Sequence, residues 1–461
     1  MSTSNSSAND DLVDALCSFA TELSYEDIPP ETIETAKLRL FDSVAVGLMA
    51  LKEEPVQRLV SHAATKSSTE NASILGTDQT ASLEYAAFSN AGMIRYLDWN
   101  DTYLTAEAAH PSGNVGAILA AGEVNESNGR DILLATVLAY EIQCRLCDLA
   151  SFTGNGFDHV NYGLASIPLA VGKLMNLSKK QLKEAVSISL TGHLGLLQAR
   201  QAPLSEWKSF AFGNVARNGV VAAELAQSGI RGPSQVFTGT YGIDSVVDPG
   251  LNPADLALSD GFLIDKTHLK RYPICHHILA GIDCVTDIVE ETGLDPTDIR
   301  SIDVDTYDIA IRATAGSGRW RPTTRGTADH SLPYCLARTL IDGTIGPDEL
   351  DESRLEEDDV VALMDTIEVH HDESFTERYG DTFSHRVTIE TTTDEVEHRV
   401  DYPQGHFKNP LKTQDVADKV LNHSHCSPTA VDDLRTAIEE IDSATDISDV
   451  LRSAARIGQQ I

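Results

Sequence analysis

The sequence predicts a mostly α-helical protein with a smaller α+β part, and three observations predict it. From about residue 10 to about residue 265, apolar residues recur at three- and four-residue spacing, the period of a helix with one buried face. Beyond 265 the period shortens to two in β-branched runs, the pattern of half-buried strands. After PQGHFKNP, residues 403–410, the helical period returns. A chain of 461 residues is long for one core, so two domains are expected. An all-helical domain over 10–265 is completed by the tail 405–461, and an α+β domain spans 266–404.

In order along the chain, PPETIETAKLRLFDSVAVGLMAL and SKKQLKEAVSISLTGHLGLLQAR read as helices that open on a proline or a serine. VNYGLASIPLAVGKL and GNVARNGVVAAELA are rich in small residues, which predicts close helix packing in a large bundle. In the second part, IRSIDVDTYDIAI, DTIEVHHDE, HRVTIETTT and EVEHRVDYP read as strands, with TTTDE as a hairpin connection. Helices fall between them at ILAGIDCVTDIVEETG and ADHSLPYCLARTLIDG, and PTAVDDLRTAIEEI is a helix of the tail. There is no internal repeat, and the serine- and asparagine-rich start is expected to be disordered.

The formal net charge is −35, with acids spread along the whole chain, and the pI is about 4.6. That balance disfavours nucleic acid and anionic lipid as partners and resembles the proteome of a salt-loving microbe. In molar salt the background is screened within roughly 3 Å, so only close cationic contacts would act on an anionic ligand. The N-terminus has neither a basic nor an apolar signal region, and no apolar run approaches a membrane span, so a cytoplasmic protein is expected. Seven cysteines without framework spacing point to reduced thiols. Cys144 and Cys147 form a CxxC on an alanine- and leucine-rich helix, where they read as small core residues.

No HExxH, GxSxG, Walker loop or complete GxGxxG occurs, and GSG at 316–318 lacks a third glycine. Five polar stretches carry the candidate chemistry. In DWNDTYLTAEAAHPSGN, a helix that ran to its end would put Asp98 and Thr102 on one face at i and i+4, with His110 returning by a loop before Pro111 and Ser112 restart a helix. Taken alone, a cap at Asp101 or Thr102 and a loop histidine also account for it. GNGFDHVNYG places His159 between glycines. LSEWKSFAFGNVARNG puts Lys208 in an aromatic-flanked helix start, either as an anion-binding ammonium or with its stem packed and its head in water. LKRYPICHHI gathers Lys270, Cys275, His276 and His277 around a proline; adjacent residues seldom ligate one ion well, so no metal is expected there. TADHSLPY opens a helix with Asp329, His330 and Tyr334, where the aspartate could be a cap.

Together these stretches resemble the MmgE/PrpD family of 2-methylcitrate dehydratases and cis-aconitate decarboxylases over nearly the whole chain. DWNDTYLTAEAAHPS resembles the dehydratase form of the family's aspartate-to-histidine motif, and SEWKSFAFGNVARNGVVAAELA and TRGTADHSLPYCLARTLIDG match as closely. The resemblance implies that the α+β domain is a lid, that the protein is a homodimer, and that a cofactor-free, metal-free active site lies in the cleft between domains. By position it implies pocket residues Asp98, Thr102, His110, His159, Lys208, Lys270, His277 and Tyr334. Relatives differ over whether a histidine stands at the place of Cys275 or of His277.

Dehydrating a citrate-like acid needs a base for a proton next to a carboxylate, stabilisation of the enolate-like charge, and an acid for the departing hydroxyl. His110 and His159 are the candidate base and acid, Asp98 would orient or charge-pair His110 or a lysine, and Tyr334 is a second candidate acid. Thr102, Lys208, Lys270 and His277 would bind substrate. The expected activity is dehydration of 2-methylcitrate on a propionate route. The alternatives are another lyase or isomerase of the family, such as a cis-aconitate decarboxylase or an epimerase, and a catalytically silent organic-acid binder.

Overall fold

A computed structural model describes residues 11–461 except 106, 202–203, 248–255, 257 and 259–260. The serine- and asparagine-rich start, expected to be disordered, lies outside the described residues. The chain divides into two compact units, one of Met1–Tyr96, Asp101–Thr267 and Ser424–Ile461, the other of Leu97–Asn100 and His268–His423.

The first unit is helical because its apolar residues are also small. The helix Leu83–Tyr96 packs against Gly113–Val124 and Trp207–Gln227. On each of those two partners a glycine stands where a side chain would collide. A Cβ at Gly213 would lie 2.5 Å from the Phe88 carbonyl oxygen, and one at Gly116 would strike the backbone of Ala91. Gly113–Val124 is buried from Gly113 through Gly122, as a helix surrounded by other helices must be. Caps fix the helix starts: Asn128 accepts from the Asp131 N–H, and Ser178 forms a capping box with Gln181. No helix among the described residues is long and apolar enough to cross a membrane.

In the second unit the two-residue period becomes a four-stranded sheet ordered Ile367–His371, Ile299–Thr306, His385–Thr391, Glu395–Val400. The first pair is parallel and the others antiparallel. His385–Thr391 alternates buried and less buried positions, and the helix Leu279–Thr292 covers it together with Glu395–Val400. That helix stops at Gly293, whose φ of 66° closes it in the left-handed region.

Four local readings change. The helix expected through DWNDT ends at Tyr96. Asp98 takes a φ of 52°, a conformation that breaks the helical path, so Asp98 and Thr102 share no helical face. Short strand pairs occur in the helical unit, Asn71–Ser73 with Thr80–Ser82 and Tyr103–Leu104 with Ala108–Ala109. The strand read through YDIAI ends at Thr306, and Asp308–Thr314 is a helix. The helix Thr413–His423 belongs to the second unit, so the return to the first comes at Ser424, where the change of period alone puts it near 405.

Candidate active site

In the first unit, the turn at Asp101 and the hairpin that follows it deliver His110 to the start of a helix. Asp101 accepts the Ser112 N–H at 3.0 Å through its carboxylate, which ties the turn to the helix beginning at Gly113. Its main-chain carbonyl lies 2.8 Å from His110 Nδ1. A carbonyl can only accept, so Nδ1 carries a proton. Thr102 Oγ1 sits 3.3 Å from the same Nδ1.

The His159 ring centroid is 5.3 Å from that of His110. His159 opens a short 3-10 turn capped by Asp158, whose carboxylate lies 3.3 Å from His159 Nδ1. Arg200 grips the same carboxylate with Nε at 3.0 Å. Burial alone would push the Asp158 carboxyl up, but the charges of His159 and Arg200 outweigh it and hold the group below the ordinary carboxylate range. Arg200 also donates to the main-chain carbonyl of Lys208 at 2.8 Å, connecting the His159 group to the first turn of Trp207–Gln227. Lys208 is half-buried there.

In the second unit, Lys270 is buried and donates to Asp98 Oδ1 at 2.7 Å and to the Asp98 carbonyl at 2.8 Å. The left-handed turn at Asp98 is what presents both oxygens to one ammonium. Asp98 Oδ2 lies 3.6 Å from His330 Nε2, and Asp329 Oδ1 lies 2.5 Å from His330 Nδ1. Two carboxylates thus alternate with two basic groups. The ligand atoms of Asp98, Asp329 and His330 all fall within 4.8 Å of one another, a spacing that a cation could use. Asp98 is already paired with Lys270 and Asp329 with His330, so we read the group as an ion-pair cluster.

The three residues of CHH turn to three different neighbours. Cys275 donates its main-chain N–H to the Asp329 carbonyl at 2.7 Å. His276 Nε2 lies 3.3 Å from His268 Nδ1. His277 Nδ1 meets the Tyr307 hydroxyl at 2.7 Å. Burial, with the charges of His385, His330 and Lys270, holds His277 down to about 3, so its ring is neutral.

Tyr334 departs from its expected role as an acid. Its side chain is buried, its hydroxyl donates to the Glu349 carbonyl at 2.5 Å, and burial pushes it up to about 12 against the opposing charge of Arg338. In this arrangement the phenol proton is directed at a main-chain carbonyl. Nor does Asp329 cap the following helix; Ser331 does, accepting from the Tyr334 N–H.

In the sequence, His330 is named without a role, and neither Asp158 nor Arg200 is singled out. DH stood in view in both TADHSLPY and GNGFDHVNYG, but nothing in spacing could bring His330 to Asp98, 232 positions away.

The fold and these groups define a helical protein with an α+β unit and two imidazole- and carboxylate-bearing clusters. The MmgE/PrpD N-terminal domain family matches residues 14–254 and the MmgE/PrpD C-terminal domain family residues 272–445. The chain belongs to the MmgE/PrpD family. It is 26% identical over 424 residues to the 2-methylcitrate dehydratase of Escherichia coli K12, covering 87% of this chain and 86% of the other. It is 27% identical to a probable 2-methylcitrate dehydratase of Saccharomyces cerevisiae, over 87% and 84% of the two chains. To an alkylcitrate dehydratase of a fungal species it is 28% identical, over 82% and 81%.

Proposed function

We propose that this chain is a hydro-lyase that dehydrates 2-methylcitrate, or a closely related tricarboxylate, to 2-methyl-cis-aconitate. The observation that carries the reading is the pair of imidazoles at 5.3 Å, each with Nδ1 engaged by the protein. The names of the relatives support the class of reaction.

His110, acting through Nε2, is the base that removes the proton next to a carboxylate. His159, whose ring charge Asp158 offsets, is the acid that protonates the departing hydroxyl. Lys208 and Lys270 bind carboxylates and stabilise the enolate-like charge as it develops, while Asp98 holds the Lys270 ammonium in place. Thr102 fixes the His110 ring, and His277 is a neutral neighbour to the carboxylate-binding group. The elimination so described uses only protein side chains.

The protein works in the cytoplasm as a homodimer. The large apolar side chains exposed among the described residues, Leu196, Trp207, Leu225, Ile230, Tyr241 and Val246, all belong to one stretch of the first unit, with Tyr241 90% exposed. A surface of that kind fits a second copy of the chain. The mass in solution tests it, and a monomer at micromolar concentration would exclude it.

The activity is tested by following ultraviolet absorbance of the conjugated product when 2-methylcitrate, citrate and cis-aconitate are supplied separately in molar KCl with a chelator. Product from 2-methylcitrate that is insensitive to the chelator is the expected result. Release of carbon dioxide from cis-aconitate, with no reaction of 2-methylcitrate, would replace the reading with a decarboxylase.

A further inference from the structure

We propose that Arg200 is a positioning residue of the hydro-lyase site, a guanidinium that shares the Asp158 carboxylate with His159 and holds the main chain at Lys208. The inference rests on the reading of His159 as the acid and of Lys208 as a carboxylate-binding group. Arg200 Nε lies 3.0 and 3.2 Å from the two Asp158 oxygens, and Nη1 donates to the Lys208 carbonyl at 2.8 Å. Asp158 Oδ1 is in turn 3.3 Å from His159 Nδ1. One planar cation thus touches the partner of one proposed functional residue and the backbone of another.

The main chain brings Arg200 there. The segment that carries it runs antiparallel beside the turn that carries His159: Phe157 and Leu196 form a β-bridge, the Asp158 N–H donates to the Gly195 carbonyl at 3.0 Å, and the Leu197 N–H donates to the Gly156 carbonyl at 2.9 Å. The buried Asn161 side chain fastens the same junction, accepting the Gly195 N–H at 2.7 Å and donating to the Gly195 carbonyl at 3.0 Å. The 3-10 turn Leu197–Arg200 then brings the guanidinium to the buried Asp158. The junction is held together by these bonds without the guanidinium. What Arg200 adds is a charge at Asp158 and a fixed point for the first turn of Trp207–Gln227.

The shared carboxylate has a chemical consequence. An imidazolium with a buried carboxylate to itself holds its proton tightly, whereas an acid must release it to the departing hydroxyl. Arg200 draws on the same carboxylate, and its own charge opposes that of a protonated His159, so both effects ease release. Burial pushes the Asp158 carboxyl up, but the charges of His159 and Arg200 hold it below the ordinary range, which keeps it ionised between the two. His110, whose ring centroid is 5.3 Å away, is the other titratable ring beside His159. A lysine could not replace Arg200, because a single ammonium cannot meet both carboxylate oxygens as a planar fork does and reach the Lys208 carbonyl as well.

The test is the titration of the His159 ring in the full-length protein, followed by NMR on isotope-labelled histidine without substrate and assigned by the signal lost in His159→Gln. Arg200→Gln is expected to move the His159 midpoint to higher pH and to lower turnover of 2-methylcitrate about tenfold at pH 7. Arg200→Lys, which keeps the charge and loses the reach, should raise KM at least about fivefold while kcat falls less than about threefold. An unmoved His159 midpoint in Arg200→Gln, or wild-type kcat and KM in Arg200→Lys, would overturn the proposal. If the wild-type protein turns over no citrate-like acid, the reading of the site fails, and the titration alone decides whether Arg200 acts on His159. Should Arg200→Gln fail to fold, Arg200→Lys decides through KM: a rise supports the bridge to Lys208, and a wild-type value defeats it.

Discussion

In the first unit, His110 and His159 are anchored through Nδ1. Each ring has its Nδ1 against the protein, at the Asp101 carbonyl and the Asp158 carboxylate. In the second unit, Asp98 pairs with Lys270 and lies near one nitrogen of His330 while Asp329 holds the other, so that basic groups and carboxylates alternate inside the cluster. The first arrangement suits the proton transfer proposed for it, because the anchoring contact orients each ring. The second suits a fixed electrostatic environment, because a buried ammonium or carboxylate without its partner would be expensive. Removing a member should therefore have different consequences in the two units: loss of chemistry in the first, and loss of stability as well as chemistry in the second.

Lys270→Met should have the largest effect. It leaves the Asp98 carboxylate buried without its ammonium, which costs about 3–5 kcal/mol of stability, and it should lower turnover of 2-methylcitrate by at least about a hundredfold. Urea denaturation and steady-state turnover measure the two. Adding Asp98→Asn to this variant should recover much of the stability and none of the turnover; recovery of turnover would show that the pair is only structural.

Next come His110→Ala and His159→Ala, each expected to reduce turnover about 10²- to 10⁴-fold with little change in unfolding midpoint. A loss of less than about tenfold in either would remove that ring from the acid–base roles and leave the two units less different than they look.

The pH dependence of stability should also separate the units, with opposite signs. In the second unit, burial depresses His277 to about 3 and His385 and His406 to about 4. The unfolded chain, near 6.5, binds the proton more readily, so this contribution is present above about 6.5 and is lost as pH falls toward the folded values. In the first unit, burial raises Glu141 to about 7, against the charge of Arg145. Its contribution is complete below about 4.5 and is lost as pH rises through about 7. Asp283, raised to about 7 by burial, opposes the histidines within the second unit, but it is one group against four, because burial holds His276 well below its ordinary range too. Hydrogen exchange should show Leu279–Thr292 losing protection between pH 6.5 and pH 4.5 before Gly113–Val124 does. The reverse order would contradict the assignment.

Tyr334→Phe is the smallest change. It deletes one hydrogen bond to the Glu349 carbonyl, worth about 1 kcal/mol, and should alter turnover by less than about threefold. A hundredfold loss of turnover in a stable variant would restore the phenol as an acid.

The legible part of the proposed site consists of residues out of character with their own segment. Lys208 stands out in an aromatic helix start and His159 between glycines, and Asp98 and His110 fall in a run of polar groups at the end of an apolar helix. Tyr334 and His330 show where that reasoning stops. Both lie in TADHSLPY, and the choice between them depends on which one faces Asp98 and which one reaches the Glu349 carbonyl. Each of those contacts joins residues that local periodicity cannot relate.

The sequence by itself determined the class of fold, because the change from a helical period to an alternating one is a local property that each segment must satisfy in order to bury its apolar side. It also determined the acidic character of the chain and the residue types available for chemistry. The tertiary structure alone decided how those residues are partnered: that the helix stops at Tyr96, that Asp98 turns left-handed to meet Lys270, and that Cys275, His276 and His277 find three different partners. The physical reason is that pairing energies between charged groups depend on distances between segments remote in sequence, and only the folded chain sets them.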